Sequence, residues 1–96
     1  MTEQQIQKKI TTMLETDYEA YVVKVISASK SGVPDLLCCV EGHFFGVEVK
    51  LPESKHNVSK LQEYNLSKIE QSGGGSMVAW NTKMVSDYVD AEILNI

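Results

Sequence analysis

Apolar positions in this chain follow two rhythms, and the switches between them mark its elements. Ile6, Ile10, Met13 and Leu14 recur at helical spacing. Thr2 followed three residues later by Gln5 forms a capping box, so a helix is predicted from Glu3 to about Thr16. Tyr21 to Ser27 is rich in β-branched residues and reads as a strand. Two further strands, 35–40 and 43–50, are separated only by Glu41-Gly42, which is hairpin spacing with a glycine in the turn. Pro34 stands where the first of them begins, and Pro52 ends the second. Ser59 and Gln62 form a second capping box, opening a helix to about Gln71 whose inner face carries Val58, Leu61, Asn65, Leu66 and Ile69. Gly73-Gly74-Gly75 stops that helix. Met77 to Trp80 reads as a short strand, and Asn81 or Thr82 caps a last helix to about Tyr88. The tail from Ala91 has no clear period. The order α-β-β-β-α-β-α predicts an α/β fold with a mixed β-sheet flanked by helices.

Length and composition narrow the class. A chain of 96 residues is expected to form one domain, 1–96, with a modest core that dimerisation would help to complete. No apolar run approaches the ~20 residues of a membrane span, and the polar start Met1-Thr2-Glu3-Gln4-Gln5 is unlike a signal peptide. The expected location is the cytoplasm. Cys38 and Cys39 are neighbours on a strand, so their side chains diverge and read as small buried hydrophobes, not a disulfide or a zinc pair. The net charge of −4 argues against a nucleic-acid partner, but its distribution softens that. Lysines 24, 30, 50, 55, 60 and 68 concentrate in the centre, where a bound cation would neutralise Asp35 and Glu48. The chain has no arginine, so bidentate guanine readout is unavailable and any nucleic acid must be read by backbone and shape.

The centre also carries the candidate chemistry. Glu48 and Lys50 are two apart on a strand and point the same way, while Phe45, Val47 and Val49 face the opposite side. A carboxylate and an amine among buried strand residues are costly without a use. The hairpin brings Asp35 beside them. Hard divalent cations such as Mg2+ or Mn2+ take oxygen ligands, and Asp35, Glu48 and the backbone carbonyl of Val49 would supply three. Such a cation lowers the pKa of a bound water and offsets charge developing on a phosphate, while Lys50 would orient the water or stabilise the transition state. Glu3, extrapolated from the apolar stripe of the first helix, is a candidate further ligand, although an acid in a first helical turn is also favoured by the helix dipole alone. Gln62 would position water, phosphate or a ligating carboxylate, beside its local use in the capping box. Ser27, Ser29, Lys30 and Ser31 before Asp35, and Lys55, His56 and Lys60 before Gln62, are candidate contacts to a DNA backbone.

Gly32-Val33-Pro34-Asp35, then Glu48-Val49-Lys50, then Gln62 on the following helix resemble the PD-(D/E)xK nuclease superfamily, and the run Gly-Val-Pro-Asp-Leu-Leu with an early helix glutamate resembles its VRR-NUC branch. The resemblance spans about Glu3 to Trp80. It implies a restriction-endonuclease-like fold and hydrolysis of phosphodiester bonds with a divalent metal. It also implies Asp35 and Glu48 as metal ligands, Lys50 as the catalytic lysine, Glu3 as an acid near the metal and Gln62 as a supporting catalytic residue. Short stand-alone members resemble viral enzymes that act as homodimers on branched DNA such as Holliday junctions, which would place this chain in a host cytoplasm. The expectation is therefore a metal-dependent endodeoxyribonuclease. The alternative is a non-catalytic DNA-binding or assembly module on the same fold.

Overall fold

A computed structural model describes all residues, 1–96, and its element order agrees with the expectation. Helix α1 (Glu3–Tyr18) is followed by strands β1 (Tyr21–Lys24), β2 (Leu36–Val40) and β3 (His43–Val49), helix α2 (Lys60–Gln71), strand β4 (Gly75–Ala79) and helix α3 (Thr82–Tyr88). Both capping boxes form. The Thr2 hydroxyl accepts from the Gln5 N–H and the Ser59 hydroxyl from the Gln62 N–H, each at 3.1 Å. The glutamine side chains bond back to the cap amides. No helix is long and apolar enough to cross a membrane.

One mixed sheet runs β1-β2-β3-β4, antiparallel between the first three strands and parallel between β3 and β4. Glu41 and Gly42 both have positive φ, 49° and 80°, the type I′ turn that suits a two-residue hairpin. That turn sets the register: Leu36 pairs with Val47, so the residue before Leu36 meets the residue after Val47. On one face of the sheet Leu36, Cys38, Val40, Phe45, Val47, Val49 and Ala79 join Ile6, Ile10 and Leu14 of α1 and Val85 of α3 in the core. Helix α2 packs against β3 and β4 on the other face, the one that carries Glu48. Cys38 and Cys39 diverge as expected. Cys38 is buried and its thiol is pushed up to about 12, chiefly by burial, whereas Cys39 is half-buried, and neither forms a disulfide.

Three boundaries differ from the sequence expectation, each for a tertiary reason. Strand β1 ends at Lys24 instead of Ser27, because its partner begins only at Leu36; the Val25 N–H makes one last bond to the Asp35 carbonyl. Strand β4 begins at Gly75, inside the glycine run, because β3 offers it a parallel partner from Phe45 onward. Gly75 lies directly under the Tyr88 hydroxyl, where any side chain would collide. The tail continues past α3 as a wider π-helical turn, Val89–Leu94, which buries Val89 and Ile93. The Tyr18 hydroxyl donates to Asp90 at 2.7 Å and ties this turn to α1. Burial and Asp90 raise the Tyr18 pKa to about 12.

The loop that delivers Asp35 is docked on α2. Gly32 has φ +82°, and a Cβ there would stand 2.7 Å from Leu61 Cγ and 2.9 Å from the Leu61 carbonyl carbon. Asn65 Nδ2 donates to the Ser31 carbonyl at 3.1 Å and to Leu61 at 2.9 Å, pinning the loop from the helix side. Gly32→Ala therefore combines left-handed strain with a backbone collision. It is expected to destabilise the protein by about 2 kcal/mol, read as a lower chemical-denaturation midpoint with an unchanged slope. An unchanged midpoint would contradict this packing.

Candidate active site

Asp35 ends the docked loop and Glu48 lies opposite it across the hairpin register. Asp35 Oδ2 accepts the Val49 N–H at 2.8 Å, which fixes the carboxylate against β3. Glu48 is only 3% exposed. Its Oε2 accepts from Gln62 Nε2 at 3.1 Å and lies 3.6 Å from Lys50 Nζ. The strand alternation predicted for Glu48 and Lys50 thus places both on the α2 face, with Lys50 half-buried. Gln62 serves both of its proposed uses at once: Oε1 closes the capping box and Nε2 holds Glu48. The cap fixes which end of the amide faces the site.

The two carboxyl groups face each other across the hairpin, close enough for the Asp35 charge to act on Glu48. Two such charges in a poorly solvated place repel strongly. Burial first, then the Asp35 charge, raise the Glu48 pKa to about 7, against the pull of Lys50 in the opposite direction. Near neutral pH Glu48 is therefore only partly ionised. The contacts to Val49, Gln62 and Lys50 use one oxygen of each carboxylate. The second oxygen of each remains for a ligand, and a divalent cation has the charge to take the proton's place.

Asp35, Glu48, Lys50 and Gln62 thus form one cluster. Glu3, in the first turn of α1, makes no hydrogen bond or ion pair to this cluster, and no group of three or more acidic, histidine or cysteine side chains is placed to hold a metal ion. Ile6, Ile10 and Leu14 of the same helix pack on the Phe45–Val47–Val49 face of the sheet. Val49 contributes its N–H to the cluster. Ser27, Ser29, Lys30 and Ser31 are exposed on the loop before Asp35; His56 and Lys60 are exposed before Gln62. Lys55 is half-buried, its Nζ 5.0 Å from the Trp80 ring centre. Two positioning residues escaped the sequence reading. Asn65 was visible only as a polar residue on an otherwise apolar helix face, and the Val49 amide carries no side-chain signal at all.

A solved structure described as a VRR_NUC domain superposes on this chain with a TM-score of 0.77 at 25% identity, covering 94% of this chain and 96% of that one. No family model matches the sequence, and no curated protein matches it. The structural likeness supports the VRR-NUC resemblance read from the sequence and a nuclease-type domain, and the sheet with flanking helices is the VRR-NUC arrangement.

The buried carboxylate has a measurable consequence. Because the folded-state pKa of Glu48 lies above its ordinary value of 4.5, the folded protein holds a proton that the unfolded chain has lost between about pH 4.5 and 7. The penalty for burying Glu48 is thus absent at low pH and complete above about pH 7. Glu48→Gln removes it and is expected to stabilise the metal-free protein by about 2–3 kcal/mol at pH 8, roughly 10 °C in Tm, with no gain near pH 4.5. Equal Tm values at pH 8 would contradict the assigned burial.

Proposed function

We propose that this chain hydrolyses phosphodiester bonds of DNA with Mg2+ or Mn2+ held between Asp35 and Glu48, and that it acts as a homodimer on branched DNA such as a four-way junction. One observation carries the reading: two carboxylates share a site with a lysine that cannot neutralise both. Folds of this kind typically use divalent metals, and the donor set suits a hard cation. The free oxygens of Asp35 and Glu48, with the Val49 carbonyl, are the proposed ligands. A divalent ion there would activate a water and offset charge on the phosphate.

The chain's own residues do the rest. The Val49 N–H and Gln62 Nε2 hold the two carboxylates in fixed rotamers, so little reorganisation is needed when the substrate arrives. Lys50, tethered to Glu48, presents its ammonium to the non-bridging oxygens, where negative charge grows as the new P–O bond forms and the old one breaks. Ser27, Ser29, Lys30 and Ser31, with Lys55, His56 and Lys60, would grip the flanking backbone in the two segments that lead to Asp35 and Gln62.

Support for a second copy comes from the sheet. Helix α2 packs against β3 and β4, leaving Tyr21 and Phe44 on the same face with 73% and 45% exposure, in one cross-strand row through Cys39. Val23, 41% exposed, adds to that face, and β1 is an edge strand. An isologous contact would cover this patch and set two sites around one axis, which suits paired incision of a junction.

The direct test incubates labelled junction and duplex DNA with the protein in Mg2+, Mn2+ or EDTA. Cleavage is expected with either metal and not with EDTA, with the junction preferred. Asp35→Asn should abolish it, and Lys50→Ala should slow it by roughly 10²–10³-fold. Sedimentation should return twice the 10.7 kDa chain mass. An inactive wild-type protein, or variants as active as wild type, would overturn the enzymatic reading. A monomer that cuts both DNAs equally would remove only the junction preference and the dimer.

A further inference from the structure

An open cavity of about 430 Å3 lies past the carboxyl ends of the parallel strands β3 and β4, lined by the start of α1 and by the segments that follow the two strands. Its apolar lining includes Ile6, Pro52 and Trp80; Lys9, Glu53 and Asn81 are polar. Two links hold it next to the chemistry. Trp80 directly follows Ala79, whose carbonyl accepts the Lys50 N–H at 3.0 Å, and Pro52 is two residues beyond Lys50. Carboxyl ends of parallel strands are where open α/β sheets place ligands. None of the roles assigned above uses this cavity.

The lining suits a flat, heteroaromatic group. Trp80 supplies an aromatic ring to the wall, and the Lys55 ammonium sits over that ring, 5.0 Å from its centre, without itself lining the cavity. Asn81 Oδ1 is committed to the Met84 N–H at 2.9 Å, so its NH2 group is left to donate toward a ligand carbonyl or ring nitrogen. Lys9 adds a cation. The volume is within the ~300–1,000 Å3 range of small-ligand pockets, ample for one nucleobase.

We infer that the Trp80 cavity receives one unpaired nucleobase of the DNA whose backbone reaches the Asp35–Glu48 site. This rests on the nuclease reading and specifies its substrate class: DNA with an unstacked nucleotide next to the cut, as at a branch point, a flap or a bubble. A base inside an intact duplex cannot reach the cavity without being unstacked, which costs a few kcal/mol. Stacking on an aromatic ring is indifferent to sequence, which fits a chain without arginine. Selectivity for structure then comes from Trp80 and its neighbours, not from base-edge readout.

The test uses the full chain in EDTA, so that binding is read without cutting. The probes are two DNAs with one 2-aminopurine, at the unpaired junction-proximal position of a splayed arm or at an internal position of a blunt duplex. Wild type is expected to quench the unpaired probe on binding and to prefer the arm. Trp80→Ala should lose the quench and reduce the arm-over-duplex affinity ratio by roughly 5- to 100-fold. Trp80→Phe, which keeps a ring and guards against a folding failure of the alanine variant, should keep most of both. A folded Trp80→Ala with an unchanged ratio and an unchanged quench would overturn this inference, as would loss of both in a folded Trp80→Phe, whereas metal-dependent cleavage by the same proteins would leave the nuclease reading standing. Wild type that bound the unpaired probe no better than the duplex would overturn the inference as well.

Discussion

Two carboxylates are forced together in a place with little water, and the organisation of this chain follows from holding them there. Asp35 and Glu48 face each other across a hairpin register, Glu48 almost wholly buried. Left alone they would repel. Lys50 offsets part of one charge, the Val49 amide and the Gln62 side chain satisfy one oxygen of each, and the raised pKa of Glu48 relieves the remainder. A protein that only needed a stable hairpin would gain by placing apolar residues here. Retaining the pair makes sense if a cation is to replace the proton.

The architecture supplies what that requires. The type I′ turn sets the register, so one residue of slippage would send Glu48 to the wrong face. Gly32 and Asn65 dock the Asp35 loop on α2, and the same helix sends Gln62 to Glu48. The opposite face of the sheet is packed with aliphatic side chains from α1 and α3. One side of the sheet therefore provides cohesion, and the other is spent on polar positioning.

Much of this was legible in the sequence because it rests on local rules. Capping boxes, hairpin spacing and strand alternation named the elements and put Glu48 and Lys50 on one face. Gly-Val-Pro-Asp, Glu-Val-Lys and the helix glutamine marked the cluster that the structure assembles. Illegible features depend on partners distant in sequence. Strand β4 starts inside a glycine run because β3 and Tyr88 are there to receive it. Asn65, the Val49 amide and the Trp80 cavity come into view only once loop, helix and strands are side by side.

The central claim, that Asp35 and Glu48 together take up a divalent ion with loss of the Glu48 proton, is tested most directly by calorimetric titration of Mn2+ near pH 6.5 in two buffers of different ionisation enthalpy. The account predicts a binding heat that depends on the buffer, corresponding to release of a substantial fraction of a proton per ion, and its loss in Asp35→Asn and Glu48→Gln. No binding by wild type, or binding that both variants retain, would contradict it.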